Sequence, residues 1–297
     1  MDMNWDDIRY FLTVSRTNSF AGAASRLLVT HSTVSRRITA LESSLSTTLF
    51  LRTEKGCRLT PAGEALLPHA EKLEATMIEL EESAHNKDSQ LSGSVRIGAP
   101  DGLGNCFLAT HITEFLKIHP QLEIELIAVP MYYSLAKREV DILITLTKPT
   151  AGNVISRKIL DYNFGLFASK EYIKNHGEIK SEDDLIHHNK VDYIQDLVYD
   201  KNFNLLIEFA PGQNTRFRSS TIISQMFAIS SGACVGVLPY FMARTNPELV
   251  QILPELSAER SFWLQVAPDS RHIARIRATI DYIISQMEAN SELFLSM

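Results

Sequence analysis

Two adjacent arginines, Arg36 and Arg37, follow the hydroxyls of Ser32, Thr33 and Ser35 in VTHSTVSRRITALESSL, residues 29 to 45. A guanidinium pairs as a rigid fork with phosphate or with guanine. Hydroxyls near a helix N-terminus donate to phosphate, helped by the helix dipole. The chemistry on offer is recognition of an anion. At about 100° per residue, Val34, Ile38, Leu41 and Leu45 form one narrow apolar stripe. Ser32, Arg36, Thr39 and Ser43 lie opposite it, and Arg37 sits on the flank. A short distance on, Arg52, Lys55 and Arg58 decorate two β-like runs, LFLRT and CRLT, around a turn at residues 54 to 56.

Other spacings that could do chemistry are weaker. Cys57, Cys106 and Cys234 lie far apart with no CxxC pair, which argues for reduced thiols and against a disulfide framework or a cysteine zinc site. VRIGAPDGLGNCF resembles a dinucleotide fingerprint, but Phe107 stands where the third glycine belongs. Glu123 and Glu125 sit where an acidic ribose partner would, and the incomplete match still argues against a nicotinamide enzyme. Ser134 and Lys137 form an SxxK without companion motifs. His187 and His188 lack an acidic or cysteine partner at metal-ligand spacing, so a surface loop is the expectation. No GxSxG, HExxH or phosphate loop occurs. Neither an enzyme, a metal site nor a bound cofactor is expected.

The elements that must hold these groups are legible from periodicity. Ile8, Phe11, Leu12 and Ser15 share a helical face. Phe20, Ala23, Ala24 and Leu27 share another, with a cap at Asn18 or Ser19. The quoted stretch is the third helix and the basic hairpin follows. Net charge is −6 over 297 residues, yet residues 1–60 carry eight Lys and Arg against five Asp and Glu. A basic piece on an acidic body fits an anion-binding domain joined to a different module. Three helices and a basic hairpin match a winged helix-turn-helix, whose third helix enters the DNA major groove.

From Pro61 to about Ser89 the pattern is one long helix, with Thr60 as its cap and Pro68 as an interruption. Leu66, Ala70, Leu73, Met77, Leu80 and Ala84 form a heptad seam. A seam this short also fits a helix packed on its own domain. The chain looks complete on either side without it, which favours a dimer helix. After SQLSGS, short apolar runs alternate with helical patterns, as in two α/β subdomains on a largely parallel sheet.

The stretch YFLTVSRTNSFAGAASRLLVTHSTVSRRITALESSLSTTLFLRTEKGCRLTPAGEALL resembles the N-terminal signature of the LysR-type transcriptional regulators. Ala23–Ala24, VSRRI, ALE, LF.R and LT.AG stand at the family's spacing. HPQLEIEL, REVDILIT and GVLP support the rest, so the resemblance covers the whole chain. His31 and Ser32 depart from it: relatives often carry Gln and then Pro or Ala there, so base preference cannot be carried over.

The resemblance implies a winged helix-turn-helix at residues 1–60 and a dimerisation helix at 61–89. It implies an effector domain at 90–297, built like a periplasmic binding protein, with subdomain I at 90–162 and 268–297 and subdomain II at 163–267. It implies a homodimer, or a tetramer, on double-stranded promoter DNA, with RNA polymerase as a further partner. Ser32, Thr33, Ser35 and Arg36 would face DNA, with Arg52 and Thr53 at the wing. A small-molecule effector would lie between the subdomains, beyond the carboxyl ends of the strands. Asp101, Gly102, Leu103, Thr145, Ser220 and Thr221 stand at those ends. Asp101 would repel an anionic effector unless it were protonated, paired or turned away. The acidic N-terminus and the lack of a membrane-length apolar run point to the cytoplasm.

Overall fold

The computed structural model describes residues 4–53, 56–85, 91–129, 135, 139–149, 154–198, 215–268 and 270–297; side chains 78–79 and 81–85 fall outside the description. The chain divides into two compact units, one comprising residues up to 89 and the other nearly everything after it.

The N-terminal unit holds α1 (Trp5–Thr17), α2 (Phe20–Leu27), α3 (His31–Leu45), the strands β1 (Phe50–Thr53) and β2 (Gly56–Leu59), and α4 (Pro61–His85). Each helix start has a local cause. Asn4 caps α1, Ser19 caps α2 through a bond from the Gly22 N–H, and Thr30 caps α3 through one from Thr33. Thr60 caps α4, taking the Gly63 N–H at 3.0 Å while its own hydroxyl donates to the Thr48 carbonyl at 2.7 Å. The stripes expected from periodicity make one core of Ile8, Phe11, Leu12, Ala23, Val34, Ile38, Leu41 and Leu49. In register, Phe50 faces Leu59 and Arg52 faces Cys57. Glu42 holds the hairpin to the end of α3 by accepting the N–H groups of Leu49 and Phe50 at 2.7 and 3.2 Å. Gly56 lies at φ +135°, where a side chain would strike the Asn18 carbonyl.

The long helix corrects one expectation. Ala70 is fully buried in the core of its own unit and Leu66 packs against that core. Arg16 of α1 grips Glu74 through two hydrogen bonds of 3.0 and 2.6 Å. The first half of α4 is therefore a fourth helix of this unit, and Leu66 and Ala70 are not free for a partner. Leu73 and Leu80 are 43% and 59% exposed, and Met77 is half-buried. The Ala84 side chain falls outside the description.

The second unit is built on a six-stranded mixed sheet, in the order Gln121–Ala128, Ser92–Ala99, Ile142–Thr145, Leu249–Val266, Ile155–Ser169, Gly236–Pro239. It comprises β3 (Ser92–Ala99), a helix α5 that passes from α (Asp101–Leu103) through a π segment (Gly104–Leu108) back to α (Ala109–Ile118), β4 (Gln121–Ala128), β5 (Ile142–Thr145), β6 (Ile155–Ser169) and α6 (Lys170–His176). β7 (Lys190–Tyr193), β8 (Thr215–Ser219), α7 (Ile222–Ser230), β9 (Gly236–Pro239), α8 (Tyr240–Ala243), β10 (Leu249–Val266), α9 (Ala274–Ala289) and α10 (Ser291–Leu295) complete it.

The sheet is not largely parallel. β3 pairs in parallel with β4 and β5, and β7 with β8, but β10 runs antiparallel to β5 and to β6, and β9 antiparallel to β6. The cause is that β6 and β10 are long strands serving both subdomains, running side by side in opposite directions. β10 already pairs with β5 from Trp263 onward. The second crossing therefore falls inside the strand, before the expected 267/268 boundary. A register shift between Ile252 and Ser257, with Leu253 at φ +47°, bends β10 on its way.

Candidate nucleic-acid interface and effector cleft

Within α3 the two arginines have opposite fates. Arg37 Nη1 donates to Asp7 of α1 at 3.2 Å, its guanidinium lies 3.7 Å from Asp6, and it covers the Tyr10 ring at 5.8 Å. It ties α3 to α1. Arg36, one residue earlier, is exposed, and no hydrogen bond or ion pair holds it among the described residues. A guanidinium left in water on the face opposite a buried stripe is placed for an external acceptor.

Around it, Ser32 is exposed and Thr33 and Ser35 are half-buried. The Ser32 and Thr33 hydroxyls both lie 2.9 Å from the Thr30 hydroxyl, a small network at the N-terminus of α3. On the hairpin Arg52, Thr53 and Arg58 are exposed, with the Arg52 guanidinium 5.7 Å from the centre of the Phe20 ring. Lys55 falls outside the described residues. The array presents a helix N-terminus, two hydroxyls, Arg36 and a hairpin carrying two more guanidiniums, all suited to phosphate and base edges.

In the second unit, Pro100, Asp101, Gly102 and Leu103 meet Ile222, residues Phe241 and Met242 of α8, and the loop and strand residues Leu146, Tyr162, Phe164, Tyr193, Pro239 and Phe262 around a cavity of about 20 Å³. That is room for little more than one water. Ring packing crowds it: Tyr162 stacks on Phe262 at 4.0 Å. Gly102 allows the approach, since a side chain there would meet Met242 Sδ and Ile222 Cγ2 within 3 Å.

The polar candidates behave differently from expectation. Asp101, Gly102 and Leu103 line this cavity, but Asp101 is only 2% exposed and its Oδ2 accepts the Ile222 N–H at 2.9 Å. Burial pushes its pKa up, and backbone N–H groups of Ile222, Gly102 and Ile223 pull it partly back. Asp101 is paired within the chain. Thr145, Ser220 and Thr221 do not line the cavity. Thr145 accepts from Gln265 at 2.7 Å and donates to the Thr147 carbonyl, and Thr221 caps α7. Both hydroxyls are used within the chain. The aromatic lining escapes sequence reasoning because it comes from separate strands and helices, each of which looks like ordinary core.

One of the weaker motifs is placed. His188 is not in a surface loop: it is buried and its Nδ1 lies 3.0 Å from the Tyr172 hydroxyl. Ser134 and Lys137 lie outside the described residues. Among the described residues no cluster of His, Cys, Asp and Glu could hold a metal ion, and no helix is long and apolar enough to cross a membrane.

Comparison with known proteins agrees with both halves. Residues 5–64 match the family described as bacterial regulatory helix-turn-helix protein, lysR family, and residues 88–288 match the LysR substrate binding domain. The regulator HdfR of Yersinia enterocolitica is 30% identical over 93% of this chain and 96% of its own. A full-length OxyR point variant from Pseudomonas aeruginosa shares the fold at a TM-score of 0.69 and 19% identity, covering 97% of this chain and 95% of that one. LysG from Corynebacterium glutamicum, solved with bound effector Arg, superposes at 0.63 and 18% identity over 99% of this chain and all of that one. With both domain families matched across most of its length, the chain belongs to the LysR family of transcriptional regulators, non-enzymatic proteins that join a helix-turn-helix DNA-binding domain to a substrate-binding effector domain.

Proposed function

We propose that this regulator binds promoter DNA as a homo-oligomer through α3 and the β1–β2 hairpin, with Arg36 reading base edges and Arg52 and Arg58 on the phosphate backbone. The observation that carries this is the contrast between Arg36, exposed and unengaged, and Arg37, held by Asp7. The partner helix is the second half of α4, where Leu73 and Leu80 stand exposed on the expected seam. In the heptad pattern of the sequence, Met77 and Ala84 belong to the same seam. Such oligomers act in the cytoplasm, without a metal or organic cofactor, and bring RNA polymerase to or keep it from the promoter.

The second domain senses a small molecule in the cleft between its subdomains; LysG, which shares the fold, was solved with a bound effector, Arg. Strands β6 and β10 cross between the subdomains, and two crossings permit hinge closure. A ligand that favours one hinge state shifts the population by its differential affinity. The test is a gel shift of the full-length protein on DNA upstream of its own gene, at two salt concentrations. Specific retardation that weakens steeply with salt supports the reading. Equal retardation of upstream and unrelated DNA refutes promoter recognition.

A further inference from the structure

We propose that Asp101 is an internal anion clasp: its carboxylate occupies, from within the chain, the anion seat at the N-terminus of α7, and holds the two subdomains closed with no external ligand. Asp101 follows β3 in subdomain I. Its acceptor bond at 2.9 Å runs to Ile222, the first residue of α7, 121 positions away in subdomain II. A nine-residue helix presents unpaired N–H groups and the positive end of its dipole at that point. A free carboxylate is what such a seat takes up, and here a tethered one fills it.

Three further observations fit a closed clasp. Asp101 is 2% exposed, so solvent does not share the carboxylate. The neighbouring cavity of about 20 Å³ has room for little beyond a single water. Gly102, the next residue, is the only residue type that lets this turn sit against Ile222 and Met242 without displacement. The clasp is independent of the effector reading, because it requires no metabolite. It makes a prediction about ligand class: a small carboxylate can use this seat only when the Asp101 side chain is absent.

The experiment compares the melting of full-length wild type, Asp101→Ala and Asp101→Asn in sodium formate and in sodium chloride at equal concentration. Wild type in the two salts sets the general salt effect. The alanine variant is expected to melt lower in chloride by roughly 2–4 °C or more, and formate is expected to recover at least half of that loss. The asparagine variant keeps an acceptor oxygen without the charge. It is expected to melt between the other two and to gain nothing from formate, since its amide still fills the seat. An alanine variant that melts with wild type overturns the clasp, as does formate that raises it no more than wild type. Should the alanine variant not fold, the asparagine variant decides, and wild-type melting there overturns the proposal. Promoter retardation and metabolite response of wild type are read separately, so failure of the clasp and failure of the effector reading remain distinct.

Discussion

The surface of α3 and the cleft around Asp101 treat charge in opposite ways. On α3, Arg36 stands in water while its neighbour Arg37 is consumed by Asp7. In the second unit, Asp101 at the cavity and Thr145 and Thr221 away from it are all consumed by the chain itself. A surface that must bind a polyanion keeps its donors hydrated and unspent, because counterion release supplies much of the affinity. A polar group as buried as Asp101 cannot be left unpaired without a cost of roughly 1–3 kcal/mol, so it finds its partner at home. Open groups mark the external interface. Spent groups mark a conformation held from within.

The exposed half of α4 is the strongest place to break that contrast. Leu80 is 59% exposed in a single chain, so Leu80→Glu should leave the fold of one chain intact. Against an apolar partner helix the same carboxylate would be buried unpaired, at several kcal/mol per ion. Sedimentation should show the variant shifted toward monomer, with weaker binding to DNA that needs two half-sites. A Leu80→Glu protein that remains fully oligomeric would show that this apolar group is open for no partner, and that exposure alone does not mark an interface.

The arginine pair sharpens the contrast at single-residue resolution. Arg36→Ala is expected to lower affinity for the operator by about 1–3 kcal/mol, the worth of a good base contact, with no change in melting. Arg37→Ala is expected to do the reverse in stability. It removes the partner of Asp7, whose side chain is only 10% exposed, and should cost about 1 kcal/mol of folding free energy. Gel shifts at matched salt and thermal melts of both variants give the four numbers. If the two variants behave alike in both assays, the division into a reading arginine and a structural one is wrong.

The contrast also explains what can be seen in the sequence. The N-terminal unit is legible because its cause is local. Stripes such as Val34, Ile38 and Leu41 repeat within a few turns, caps such as Ser19 and Thr60 lie beside the elements they start, and the hairpin carries its basic residues in order. The cleft is not legible because its causes are long-range. Asp101 meets Ile222 across 121 positions, and Tyr162 meets Phe262 across a hundred. The two longest strands show in the sequence only as fragments. Exposed residues such as Glu255 and Glu259 interrupt the apolar pattern of β10, and pairing with β6 holds it together where propensity would not. On α4 the periodicity marks the helix, but it cannot tell which turns face the chain's own core and which face outward. Ala70 shows the difference.

Thiol chemistry gauges how strongly the second unit shields its own cysteines. Burial pushes both Cys106 and Cys234 up to about 11, and for Cys106 the negative charge of Asp101 adds to the push. A folded-state pKa above the ordinary value of 9.0 means that the fold favours the neutral thiol. That contribution to stability is complete below about pH 9 and is lost as pH rises through about 11. At pH 8 the thiolate fraction should be roughly a hundredfold below that of a free cysteine, so iodoacetamide should modify the native protein far more slowly than the urea-unfolded chain. The native rate should climb between pH 9 and 11. Asp101→Ala removes one of the two causes acting on Cys106 and none of those acting on Cys234, so the variant should speed the first modification and not the second. Peptide mapping of the alkylated sites reads both. Rapid labelling of native Cys106 at pH 8 would show that burial and the Asp101 charge do not hold this thiol neutral.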